Sequence, residues 1–172
     1  MVNNQRMANE QSPILRFRNR QRTLSLDLPL LRRIISALLK DVLAVKEFAL
    51  GISLVGEDEM TSLNERFLHH AGATDVISFN YYSGRRANVI QGDIVLCAGE
   101  AVRQARQFRT CWQLELVRYI VHGVLHLQGY DDLRPVPRRK MKREENRLVR
   151  ELARRFSLKR LSARKRTPTL PQ

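Results

Sequence analysis

Cysteine is scarce in this chain: its 172 residues contain two, Cys97 and Cys111. Neither belongs to a Cys-x-x-Cys pair, and two scattered thiols cannot build a disulfide framework. Two reduced, mostly buried cysteines are therefore expected. Long apolar runs are missing as well. No stretch approaches the roughly 20 residues that cross a bilayer, so no membrane partner is expected. The first ten residues are polar and rich in Asn and Gln, without the apolar core of an export signal. The cytoplasm is the expected compartment. There is no internal repeat. What is present in normal measure is apolar content, 43% of residues, in a chain the length of one ordinary domain with a core of its own.

Acidic side chains are the other shortage. Asp and Glu number 17 against 31 Lys and Arg, a formal charge of +14. The imbalance is concentrated. Residues 134–166 carry fifteen basic side chains against Glu144, Glu145 and Glu151, a net of +12. So one-sided a field favours a polyanion, either nucleic acid or an anionic surface. A solvated helix face with a basic tail has the same composition.

Local patterning divides the chain into a flexible leader (1–13), a single folded domain (14–157) and a basic flexible tail (158–172). Alternation predicts a strand within 14–24, and β-branched or continuous apolar runs predict others at 48–55, 74–81 and 92–97. Helical spacing marks 30–45, 57–67, 100–108, 112–128 and 137–157. Strands first and helices afterwards imply an α+β fold, a small mixed sheet packed by helices.

The chemistry concentrates at the end of the helix spanning 112–128. His122 and His126 are four residues apart, so their rings lie one turn above each other on one face. Gly129 can take the left-handed conformation that ends a helix. The chain then turns back, bringing Asp131 or Asp132 to the same point. Two imidazoles and one carboxylate leave a coordination position open, as in catalytic rather than structural zinc sites. An imidazole pair in so apolar a helix is costly unless satisfied, and a metal satisfies it. The metallopeptidase pattern His-Glu-x-x-His is not met, because Gly123 stands where its general base belongs.

The run from His122 to Asp132, H-G-V-L-H-L-Q-G-Y-D-D, resembles the signature H-G-x-L-H-L-x-G-Y-D-H of the YbeY family of bacterial endoribonucleases. Thr74-Asp75-Val76-Ile77-Ser78-Phe79 is similar to the family's T-D-V-L-S-F. Gly92-Asp93-Ile94-Val95 matches its G-D-I-V, and Leu63-Asn64 its opening L-N. The resemblance covers residues 14–156. It implies a metal in a cleft between helices and sheet, with Asp132 as the third ligand beside His122 and His126. It also implies a role in maturing the 3′ end of small-subunit ribosomal RNA and in ribosome quality control. Two positions depart from the pattern. Asp132 replaces the usual histidine, a substitution that keeps a competent zinc ligand but shifts preference toward harder ions. Leu68 stands where the family often has arginine.

The expected activity is therefore a zinc-dependent endoribonuclease specific for single strands, holding one Zn²⁺ per chain, with ribosomal RNA or the small ribosomal subunit as partner. Asp131 is the candidate for orienting a ligand imidazole. Asp75 and Ser78 lie on the strand beside the site without an assigned role. Candidate RNA contacts are Arg66, Arg85, Arg86, Arg138, Arg139, Lys140, Lys142 and Arg143, with Tyr81 and Tyr82 available for stacking. The alternative is an RNA- or ribosome-binding assembly factor with a non-catalytic metal.

Overall fold

In the computed structural model, which describes residues 13–82 and 88–163, the alternating and apolar segments pair into a four-stranded mixed sheet. Strand β1 (Ile14–Asn19) lies parallel to β2 (Glu47–Val55), and β2 parallel to β4 (Val89–Cys97). Strand β3 (Val76–Asn80) runs antiparallel along β4, giving the order β1-β2-β4-β3. Parallel neighbours require a crossover. Between β1 and β2 it is helix α1 (Leu28–Ala37), opened by the Asp27 carboxylate, which accepts from the Leu30 amide at 2.8 Å, and by Pro29 in its first turn. The helix expected to run on to 45 instead widens into a π-helical turn, Leu38–Val42.

Each strand's alternation has a physical destination. In β2, Phe48, Leu50, Ile52 and Leu54 are buried against the helical layer. The other face is capped at one end by α2 (Glu57–Leu68), whose Met60 joins Val55, Ile77, Val95 and Cys97 in a smaller apolar cluster. Helix α3 (Ala98–Gln107) follows β4. Helix α4 (Trp112–Leu127) then lies across β3 and β4, flanked by α3 and by α5 (Pro135–Arg155). Gly123 sets how close α4 comes to the sheet. A Cβ there would stand 2.9 Å from two Ile94 side-chain carbons and 3.0 Å from Ser78 Oγ. The position that a peptidase would fill with glutamate is thus the contact point of helix and sheet.

Three boundaries differ from the sequence expectation. β1 stops at Asn19, because Gln21 folds its amide onto Leu24, donating to the carbonyl at 3.0 Å and accepting from the amide at 2.7 Å. Helix α5 starts at Pro135, a residue whose missing N–H costs nothing in the first turn. The start of the stretch expected to be a flexible tail, from residue 158, is ordered. Leu158–Leu161 forms a 3₁₀ turn whose two leucines are buried, and the Leu161 carbonyl accepts from Asp27 N at 2.8 Å. Two apolar residues in a basic run are enough to anchor that turn to the core. Cys97 and Cys111 are free thiols, the first buried and the second partly so. Among the described residues, no helix is long and apolar enough to cross a membrane.

Candidate metal centre

Helix α4 ends in the way its sequence anticipates. Gly129 has φ of +86°, its amide bonds the His126 carbonyl at 2.9 Å, and the Tyr130 amide bonds the Leu125 carbonyl at 3.0 Å. This pair of reversed bonds is the Schellman cap. It folds the chain back over the last turn of α4 and delivers Asp132 to the histidines. His122 Nε2 and His126 Nε2 lie 3.0 Å apart, and the two Asp132 carboxylate oxygens stand 3.6 and 3.7 Å from them. His122, His126 and Asp132 form a group that could hold a metal ion.

The outer nitrogens decide what the inner ones can do. His126 Nδ1 lies 3.1 Å from the Tyr130 carbonyl, which only accepts. His122 Nδ1 lies 3.0 Å from a carboxylate oxygen of Glu145 on α5. Burial pushes the Glu145 carboxyl up, but hydrogen bonds from His122, Lys142 and Arg118 outweigh it and hold it down at about 2. Glu145 is therefore ionised and also only accepts. With both Nδ1 atoms turned to acceptors, both Nε2 atoms are turned to each other and to Asp132. Two imidazole nitrogens 3.0 Å apart beside a carboxylate are satisfied by a shared proton or by a metal ion among them. Nitrogen and oxygen donors in this number suit a divalent metal ion, with coordination left open for a further ligand.

Two clefts meet at this group. One, of about 250 Å³, passes between α4 and α5 and is lined by Arg118, Arg138 and Lys142 beside His122 and Asp132. The other, of about 590 Å³, runs along β3 past Asp75, Val76, Ile77 and Ser78, with Leu68 and His70 on its rim. Arg138 Nε donates to the Asp132 carbonyl at 2.7 Å, which ties α5 to the ligand turn. Arg118 donates to Glu145 and to Asn146, each at 2.8 Å, and Lys142 donates to Glu145 at 2.6 Å. One carboxylate thus collects two cations and an imidazole.

The other candidate residues are distributed differently. Asp131 adjoins Asp132, but its Oδ1 accepts from the Leu133 amide at 2.9 Å and its Oδ2 faces Arg134 at 3.5 Å. Glu145 and the Tyr130 carbonyl hold the rings instead. Neither was singled out in the sequence, nor was Arg118. Arg118 shares the His122 face one turn earlier, a spacing that could have revealed it; nothing local reveals Glu145, 23 residues away. Asp75 Oδ1 accepts from the Val76 amide at 2.9 Å and the Thr74 hydroxyl at 3.1 Å. Ser78 Oγ donates a long bond, 3.5 Å, to the Gly123 carbonyl. Arg66 lies over the Phe67 ring and Lys140 over that of Tyr130. Arg139 and Arg143 are exposed on α5. Tyr81 binds Asp93 through its hydroxyl on the far face of the sheet, and the Tyr82 amide donates to Asn80 Oδ1. Arg85 and Arg86 fall outside the described residues.

Comparison with known proteins points to one family. The family described as Endoribonuclease YbeY matches residues 16–153. Among curated relatives, the Endoribonuclease YbeY of Anaeromyxobacter sp. (strain Fw109-5) is 41% identical over 101 residues, 59% of this chain and 53% of that protein. That of Chlorobium luteolum is 39% identical over 92 residues, covering 54% and 65%. That of Saccharopolyspora erythraea is 40% identical over 119 residues, covering 63% and 65%. The matched region spans about half to two thirds of the length of these relatives. A Thermotoga maritima protein solved in solution shares the fold, with a TM-score of 0.61 at 21% identity, over 92% of this chain and 100% of that one.

Proposed function

This chain belongs to the YbeY family, and from that premise we propose that it is a metal-dependent endoribonuclease that cuts single-stranded RNA. One zinc ion is held by His122 Nε2, His126 Nε2 and an Asp132 carboxylate oxygen. The observation that carries the reading is the convergence of His122 Nε2, His126 Nε2 and the Asp132 carboxylate, with both Nδ1 atoms facing acceptors. When bound, a zinc ion supplies Lewis acidity toward phosphoryl oxygen and lowers the pKa of water toward about 7.

The chain's own residues supply the rest. Arg138, fixed through Nε to the Asp132 carbonyl, keeps its remaining guanidinium donors for a phosphate at the mouth of the cleft. Lys142 and Arg118 raise the positive potential behind it. Arg139 and Arg143 extend that field along α5, giving salt-sensitive, sequence-tolerant binding. Glu145 and Tyr130 fix the imidazole tautomers, so the ligand set is formed before substrate arrives. The substrate we assign is small-subunit ribosomal RNA near its 3′ end, acted on in the cytoplasm during ribosome maturation and quality control. So small a cleft reads few bases, and the ribosome itself presents the cutting point.

One observation favours the second reading, an RNA- or ribosome-binding assembly factor with a non-catalytic metal. The β3 side of the larger cleft has Leu68 on its rim, without a cation at that position. A single experiment separates the two. Purified protein and His126→Ala are incubated with single-stranded ribosomal RNA, and bound metal is quantified in both. Loss of metal and of cleavage together in the variant supports the nuclease. Metal retained by the wild type without cleavage, even on ribosomal subunits, supports the assembly factor. A wild type that binds no metal refutes the ligand assignment.

A further inference from the structure

Asp93 belongs to the Gly92-Asp93-Ile94-Val95 segment, yet it points away from the metal-ligand group. Ile94 faces α4 at Gly123, and strand alternation sends Asp93 to the opposite face of the sheet. Helix α2 covers only the end of that face, at Val55, Ile77, Val95 and Cys97. Beside it lies a trough of about 400 Å³ along β2, a volume in the range of small-molecule sites.

Register explains the shape of the trough. Arg16 on β1, Gly51 on β2 and Asp93 on β4 form one row across three strands; Ile14, Ala49 and Gln91 form the adjacent row. The central strand offers only Ala49 and Gly51 as a floor, so the side chains of β1 and β4 stand as separate walls. Strand spacing of about 4.8 Å sets the Arg16 and Asp93 backbones about 10 Å apart. They do not pair. Among the described residues, the Arg16 guanidinium has no hydrogen-bond or ion-pair partner. Asp93 is held in place: Oδ2 accepts from the Tyr81 hydroxyl at 2.9 Å, and Oδ1 lies over Gly51, in the space a Cβ would occupy there. The Tyr81 ring stands exposed beside it.

We propose that this trough binds the guanine base of a nucleotide, with the base's N1–H and N2–H₂ edge on the Asp93 carboxylate and the phosphate on Arg16. An ionised carboxylate accepts only, and its two oxygens match two adjacent donors. Guanine alone among the four bases presents such a pair; adenine and cytosine set a donor beside an acceptor, and uracil sets one donor between two acceptors. The oxygen bonded to Tyr81 keeps a second lone pair for this contact. Guanidinium is the matching group for phosphate. The missing Cβ at Gly51 leaves room for the Asp93 carboxylate over β2, at the floor of the trough. The site lies across the sheet from the ligand histidines and does not depend on what they do. Its ligand is either a free guanine nucleotide or a guanosine within RNA.

The test is equilibrium binding of GMP, AMP, CMP and UMP to the full chain, beside Asp93→Asn and Arg16→Ala. The expected result is GMP binding at least about tenfold tighter than AMP, with the preference abolished in Asp93→Asn. Arg16→Ala weakens GMP and AMP alike and keeps their ratio, which separates loss of the base contact from loss of the fold. If GMP does not bind, uridine hexamers carrying a single G or a single A are compared on the His126→Ala background. A preference for G that disappears with Asp93→Asn assigns the site to RNA. Equal binding of all four nucleotides, a preference that survives Asp93→Asn, or no binding of either guanine probe overturns the proposal.

Discussion

Replacing Glu145 with glutamine separates the charge of the buried carboxylate from its shape. The side chain is 4% exposed and faces His122 Nδ1, Arg118 and Lys142. Its carboxyl lies at about 2 against an ordinary 4.5, so the folded surroundings favour the charged form by about 3 kcal/mol. Lys142 is 58% exposed, and its share is weakened by solvent. Roughly 1–2 kcal/mol then remains for the contacts to His122 and Arg118. Glutamine still offers an oxygen to His122, but as a weaker acceptor, and nothing then forces the Nδ1 proton to stay. Loss of such a partner lowers metal affinity about 10–100-fold. The assay is competition for Zn²⁺ against a fluorescent chelator, with thermal unfolding of the metal-free proteins alongside. The stability loss corresponds to a shift of roughly 2–8 °C for a chain of this size. Asp131→Asn is the contrast, and its affinity stays at the wild-type value. A Glu145→Gln protein that holds zinc within twofold of wild type, or an Asp131→Asn protein that loses it, refutes the reasoning.

Arg138→Ala leaves bound metal unchanged but weakens RNA binding, and it reduces the slope of log affinity against log salt by about one; filter binding at several salt concentrations measures both. Gly123→Ala pushes α4 against Ile94 and Ser78 and destabilises the fold by about 1–3 kcal/mol, read by urea denaturation. Acid weakens the protein through Glu100 and Glu145. Glu100 is raised by burial, but bonds from Arg103 and Gln104 outweigh this and lower it, as those from His122, Lys142 and Arg118 lower Glu145. Carboxyls lowered on folding contribute stability above their unfolded values, and that stability is lost as pH falls through the folded ones. Denaturation free energy is therefore flat at neutral pH and declines on acidification from about 4.5 toward 2, less steeply in Glu100→Gln.

The parts of the site readable from sequence are those set within one short stretch. Helical spacing fixes His122 and His126 relative to each other, a left-handed glycine reverses the chain at 129, and Asp132 follows. Contacts made across the fold left no such trace. Glu145 is one acidic residue in a helix dominated by arginine and lysine, and only the packing of α5 on α4 brings it to His122. Asp131 looked suitable because it adjoins a ligand, but its carboxylate closes a turn onto Leu133. The Tyr130 contact is made by a backbone carbonyl, which any residue carries. The fold followed the same division. Alternation located the strands of the sheet, whereas the buried turn at Leu158–Leu161 depends on a core supplied by distant segments.

The two ligand rings are secured by unlike means. His126 leans on main chain within its own helix cap, a support set by the left-handed Gly129 rather than by a partner side chain. His122 leans on a side chain from α5, a helix whose surface charges repel one another. The centre therefore resembles a vice with one fixed jaw and one mounted on a separate arm. Any event that lifts α5 from α4 frees the second jaw and leaves the first in place. Retention of an ion bound there would then gauge whether α5 is docked.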